Sequence, residues 1–262
     1  MERKDKRLLL FLLSITCLAG YAFAEHQPGE TQDFGSIPFV WCPPGQFVMG
    51  TGSAASAEGD PSWFSDEQPA REVTIEKGFW ISRSEITREQ WALYMQTRPW
   101  AGVDSEENSA LAATGMDVRA CREFAEKLGD SIKSKCTLPS EEEWEYACRA
   151  GGTDPEYGCA SLETLGEYAW HRWNSEGGKL HPVGQKKPNA WGISDMHGNA
   201  WEWTATPYLP LHNTGESGLS GYSVIRGGSA AATPVFLRCA SRLGRADSAG
   251  SPLLGFRVTI VE

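Results

Sequence analysis

The run Asp195-Met196-His197-Gly198-Asn199-Ala200-Trp201-Glu202-Trp203 sets two carboxylates seven residues apart around a Gly-Asn turn. Carboxylates, with carbonyls exposed by a tight turn, are the donors that a hard cation such as calcium takes. The tryptophans bring large apolar area to the same place. Cysteines form the second set able to do chemistry. Cys42, Cys121, Cys136, Cys148, Cys159 and Cys239 follow an earlier Cys17. None lies in a Cys-x-x-Cys pair, so zinc and thioredoxin-type chemistry have no local support. His171, His181 and His197 are too scattered along the chain to read as a metal triad. No nucleophile elbow, phosphate loop or zinc-protease motif occurs.

These residues need elements to hold them, and three helices are legible. Thr87-Arg88-Glu89-Gln90 is a capping box, with Trp91, Tyr94 and Met95 on one face after it. Asp117 can cap a second helix whose inward residues are Val118, Cys121, Phe124, Ala125 and Leu128. Ser140-Glu141-Glu142-Glu143 is another capping box, followed by Trp144, Ala147 and Cys148, with Gly151 placed to end the helix. Short strands are expected at 47–49, 73–75, 79–81, 224–226 and 255–260. The small, acidic, proline-bearing stretch 53–69 reads as a long surface loop. With 28 Gly and 15 Pro punctuating the chain, the fold class is α+β, irregular and loop-rich.

The 262-residue chain opens on Arg3, Lys4, Lys6 and Arg7, continues into an apolar run, and reaches Ala22-Phe23-Ala24. That is the pattern of a secretory signal over residues 1–24. The apolar run is too short and interrupted to span a membrane. Ser14-Ile15-Thr16 is a poor approach to a lipidated Cys17. Residues 25–36 read as a flexible leader, and 37–262 as one domain with a single core. Residues 1–24 hold four of the 24 basic and two of the 34 acidic side chains, leaving 20 and 32, a net charge of −12. This argues against nucleic acid as a partner, since phosphate binding needs a basic face. Six cysteines in an exported chain read as disulfides. Periplasmic and secreted locations look alike at this level.

Several blocks resemble the formylglycine-generating-enzyme (sulfatase-modifying factor) family. They are Gly45-Gln46-Phe47-Val48-Met49-Gly50, Asp66-Glu67-Gln68-Pro69, Ser84-Glu85-Ile86-Thr87 and the stretch from Thr137-Leu138-Pro139-Ser140 to Trp144-Glu145-Tyr146-Ala147. Asn189-Ala190-Trp191-Gly192, the 195–203 run, Arg226-Gly227-Gly228-Ser229 and Gly255-Phe256-Arg257 complete them in order over 37–262. The resemblance implies a C-type-lectin-like variant with little regular structure. It implies a structural calcium held by the side chains of Asp195 and Glu202 and the carbonyls of Gly198 and Ala200. A Cys148–Cys239 disulfide carries over as well. Cys42, Cys121, Cys136 and Cys159 then allow three pairings. Trp201 and Ser229 match residues that line the oxygen side of the family's active site.

The family's enzymes bind copper through two cysteines, four residues apart, shortly after the Gly-Gly-Ser. Here Ala230-Ala231-Ala232-Thr233-Pro234-Val235-Phe236-Leu237 stands in that place, without cysteine, histidine or acid. Copper is therefore not expected there, and formylglycine should not be made by that route. Two functions remain open. One is an exported ligand-binding or accessory module for a protein, peptide or small molecule. The alternative is a cysteine-independent oxidoreductase or maturation enzyme acting on a secreted peptide or protein.

Overall fold

The computed structural model describes residues 26–52, 61–101, 108–153, 156–158, 160–209 and 220–261. The expected signal segment 1–24 and Cys159 lie outside them. Among the described residues, no helix is long and apolar enough to cross a membrane.

Among the described residues, three sheets and three substantial helices carry the fold. The first sheet has the order β1-β2-β5-β11-β6, from strands Thr31–Phe34 (β1), Ile37–Cys42 (β2), Phe79–Ser82 (β5), Thr259–Val261 (β11) and Cys136–Thr137 (β6). The second has the order β10-β7-β8-β9, from Leu254–Phe256 (β10), Trp201–Pro207 (β7), Tyr222–Arg226 (β8) and Arg242–Ala246 (β9). Gly45–Met49 (β3) and Arg71–Ile75 (β4) form a two-stranded hairpin sheet. Long connections separate most of these elements, so the fold is mixed α+β with little regular structure.

The helices form where their caps demand. Helix α1 (Arg88–Met95) starts at Thr87 with both capping-box bonds made. Helix α2 (Val118–Ile132) is capped by the Asp117 carboxylate, which accepts from the Ala120 amide. Its expected inward residues Val118, Cys121, Phe124, Ala125 and Leu128 are all buried. Helix α3 (Glu141–Arg149) has the full capping box at Ser140 and Glu143. It ends in left-handed backbone at Ala150, one residue before the expected Gly151. A short α4 (Leu165–Tyr168) follows. Helices α1 and α2 cover the first sheet. Trp91 stacks on Phe124, and Phe256 meets both edge-on, at the centre of the main core. Each such ring withdrawn from water contributes about 1.5–3 kcal/mol.

Two expectations change. The flexible leader contains β1, which pairs antiparallel with β2 from Thr31↔Val40 to Phe34↔Ile37. Thr31, Gln32 and Asp33 are exposed on this edge strand, which backbone bonds and the half-buried Phe34 hold in place, and composition does not register that. The expected strand 255–260 is two strands in different sheets. β10 runs parallel to β7, and β11 runs antiparallel to β5 and β6. The break falls at Arg257, whose guanidinium turns inward instead of out from a pleat. Of the expected 53–69 loop, Pro61–Glu67 is a 3-10 turn, and 53–60 lies outside the described residues.

The interior is held by charge as well as apolar packing. Arg226 pairs with Glu145 at 2.6 Å and Glu141 at 3.0 Å. Arg242 also grips Glu141, and Arg238 grips Glu67 with two bonds. All of these side chains are buried. A buried charge needs a partner, so each pair locks together two distant segments of chain.

Candidate functional site

The 195–203 run folds as a loop feeding β7. Asp195, Gly198 and Asn199 have positive φ of 58°, 82° and 57°. At Gly198 any Cβ would collide with the Trp170 carbonyl, so glycine is required there. These turns bring Asp195, Ala200 and Glu202 inward, all buried.

Glu202 is already fully engaged. Its carboxylate takes two bonds of 2.6 Å from Arg257, and the Trp144 indole donates to it at 2.6 Å. Arg257 also donates to the Ser82 and Ser194 carbonyls. Asp195 accepts from the Gly184 amide at 2.6 Å. Its other neighbour is a residue that sequence reading left without a role. The Glu85 carboxyl is close enough for the Asp195 charge to act on it. Glu85 Oε1 accepts from the Asn199 amide nitrogen at 3.0 Å, while buried Glu85 Oε2 has no hydrogen-bond donor. Both carboxyls are pushed above the usual range, first by burial. Two buried carboxyls this close disfavour each other's charge, and a proton, the charge of Arg257 or a bound cation offsets that. The residues therefore fit a hard cation, centred on Asp195 and Glu85 more than on Glu202. Glu85 was legible only as part of a family block, because its contact spans more than a hundred residues of chain.

Trp201 and Ser229 come together at one cavity. With Ile225, Leu243, Leu253 and Leu254 they line a cavity of about 260 Å³ between the second sheet and the C-terminal loop. Trp201 is half-buried at the head of β7, and Ser229 is buried just after β8. The cavity's one ionisable lining residue is Arg245, on an exposed position of β9. The walls are mostly apolar, and the volume is at the small end for a ligand site.

Cys148 and Cys239 also meet, with sulfurs 3.3 Å apart. This is the pair that the resemblance joins by a disulfide, and the structure brings the two sulfurs together without a recorded bond between them. The ring of His197 lies beside the pair, with Nε2 at 3.8 Å from Cys148 Sγ. Burial and the neighbouring sulfur hold Cys148 well above the ordinary thiol range. Burial would raise Cys239 too, but bonds from Cys148 and His197 outweigh it and bring that thiol down. Cys42, Cys121 and Cys136 are buried free thiols. Of the three histidines too scattered along the chain to read as a triad, His197 is the one that meets sulfur. His181 instead stacks on Trp170, and the His171 Nδ1 accepts from the Trp173 amide.

Comparison with known proteins agrees with this architecture. The model of the sulfatase-modifying factor enzyme 1-like domain matches residues 25–261. The chain belongs to that family. Within the sulfatase-modifying-factor family, one relative is inactive C-alpha-formylglycine-generating enzyme 2 of Mus musculus. It is 27% identical over 300 residues, covering 95% of this chain and 91% of the relative. Chaperone protein LppX of Paenibacillus barcinonensis is 28% identical over 191 residues, covering 53% of this chain and 67% of LppX. Among solved structures, PvdO from Pseudomonas aeruginosa superposes with a TM-score of 0.78 at 27% identity, covering 90% of this chain and all of PvdO.

Proposed function

We propose that this chain is a non-catalytic member of the family, an exported accessory module that binds a small amphipathic ligand at the Trp201–Ser229 cavity. One observation carries the reading. The segment after Ser229, where the family's oxidising enzymes keep their copper cysteines, holds only Ala230 to Leu237 without a metal-binding side chain. The cavity beside it offers apolar walls and one exposed cation, Arg245. That lining suits an apolar group bearing an anionic end. The relation to an inactive formylglycine-generating enzyme and to a protein named as a chaperone supports a role without oxidation. The basic head and apolar run of residues 1–24 support export. The alternative, a cysteine-independent maturation enzyme, needs a buried acid or base at the reacting centre. The described lining supplies none.

Calcium is part of the same reading. Asp195 and Glu85 would hold it, with the Gly198 and Ala200 carbonyls as backbone donors. Glu202 keeps the loop in place through Arg257. The ion would neutralise two buried carboxylates and fix the loop that leads into Trp201.

The test has two arms. The copper-treated full chain is incubated with a Cys-x-Pro-x-Arg peptide, and no aldehyde mass shift is expected; an aldehyde product overturns the reading. In the second arm, an anilinonaphthalenesulfonate probe, apolar with one anionic group, binds saturably with one site. Arg245→Ala weakens it about fivefold, the loss of one exposed charge contact of about 1 kcal/mol. Unsaturable binding that ignores both Arg245→Ala and Trp201→Ala would remove the cavity from the proposal.

A further inference from the structure

A second cavity opens beside the one at Trp201 and Ser229. It holds about 200 Å³ and is lined by Pro99, Trp100, Thr114, Gly115, Ser251 and Pro252. Ser251 lines both cavities. It begins a tight turn in which the Leu254 amide donates to the Ser251 carbonyl at 3.1 Å. The Gly115 amide donates to the same carbonyl at 3.0 Å, and a Cβ at Gly250 would collide with the Gly115 carbonyl. That close approach fixes the turn against Gly115, so the two cavities share one wall. Each is smaller than the roughly 300 Å³ at which ligand sites ordinarily begin, and together they fall inside the usual range.

The linings are alike in kind. Trp100 is buried, and the Arg88 guanidinium lies 5.3 Å from the centre of its ring, which holds the indole in place. With the rings of Pro99 and Pro252 it offers flat apolar surface. Each cavity also has one buried hydroxyl, Thr114 in the second and Ser229 in the first, at 1% and 4% exposure. Among the described residues neither side chain has a hydrogen-bond partner. A buried hydroxyl left so is costly, and a polar atom of a bound molecule relieves it. Between them, Ser251 Oγ accepts from the Leu253 amide at 3.4 Å and keeps its own proton to donate. Charge enters only at the Arg245 end.

We propose that the ligand of this protein is a two-ring anion that reaches past Ser251 into the Trp100 cavity. The proposal rests on the ligand site argued above and gives it a second subsite. The chemical class is a conjugate of two flat apolar groups, joined by a hydrogen-bonding link and carrying one carboxylate or sulfonate. One ring lies against Trp201 and Leu253 with the anion at Arg245. The link crosses Ser251, and the second ring lies against Trp100.

Two probes separate the subsites. Anilinonaphthalenesulfonate carries two ring groups, an amine link and the anion; naphthalenesulfonate carries one ring group and the anion. Calorimetry with the full chain should show the two-ring probe binding about tenfold tighter. Trp100→Ala should reduce that advantage to about twofold or less and leave naphthalenesulfonate affinity unchanged. Pro252→Ala, at an exposed position of the same lining, should reduce it about threefold, so the test survives if Trp100→Ala does not fold. Equal affinity for the two probes, or an advantage that both variants leave intact, overturns the second subsite alone. Absent naphthalenesulfonate binding overturns the first cavity, and the second subsite with it.

Discussion

At the scale of single residues, Glu202 shows how a side chain can change role between sequence and structure. By type and spacing it is a cation ligand; in the fold it is the counter-ion of Arg257. Both are fully buried, and each has its charge satisfied by the other. Glu202→Gln removes the bidentate partner of a fully buried guanidinium, so a loss of about 3–5 kcal/mol is expected by urea denaturation. A loss under 1 kcal/mol would mean that water reaches the guanidinium. Gly198 is a second sensitive position. Gly198→Ala puts a methyl against the Trp170 carbonyl in left-handed backbone. The expected result is destabilisation by several times the ~1 kcal/mol of an ordinary exposed glycine substitution. Neither effect requires a ligand.

At the scale of elements, the capping boxes were the most legible features. Thr87 with Gln90 and Ser140 with Glu143 make the reciprocal bonds their spacing implies. These bonds are local, so the sequence contains them entirely. Ser140→Ala should cost about 1 kcal/mol, measured as a lowered denaturation midpoint with unchanged slope. A changed slope would mean that α3 unfolds separately from the sheets. The strands were less legible. β2, β7 and β9 were not anticipated, and the segment 255–260 divides between two sheets. A strand's identity depends on its neighbours, and these neighbours are distant in the chain. The division occurs at Arg257 because its charge must reach Glu202, which no periodicity encodes.

At the scale of the whole molecule, the buried Arg–Glu pairs and the carboxylate pair act on global stability. Arg226, Arg238, Arg242 and Arg257 all turn inward to glutamates on other elements. Calcium between Asp195 and Glu85 would add to that framework by binding only the folded chain. At one hundred times its dissociation constant, an ion adds about 2.7 kcal/mol. For a domain of this size that is roughly 5–10 °C in thermal midpoint. The midpoint should rise on adding calcium and fall with a chelator, and Asp195→Asn or Glu85→Gln should abolish both responses. An unchanged midpoint, with no calcium uptake by calorimetry, removes the ion from the account.

Local bonding and chain-ordered blocks were enough to establish from sequence the helices, their caps, the α+β class and the family. The absence of cysteine from 230 to 238 was equally plain, and it carries the proposed loss of oxidation. Pairings across the chain were left to the tertiary structure. It set Glu85 against Asp195, gave Glu202 to Arg257, and brought His197 to Cys148 and Cys239. A sequence states which groups exist and what their neighbours impose. Which buried charge or lone pair meets which is fixed only when burial leaves each polar group to find its partner among distant segments.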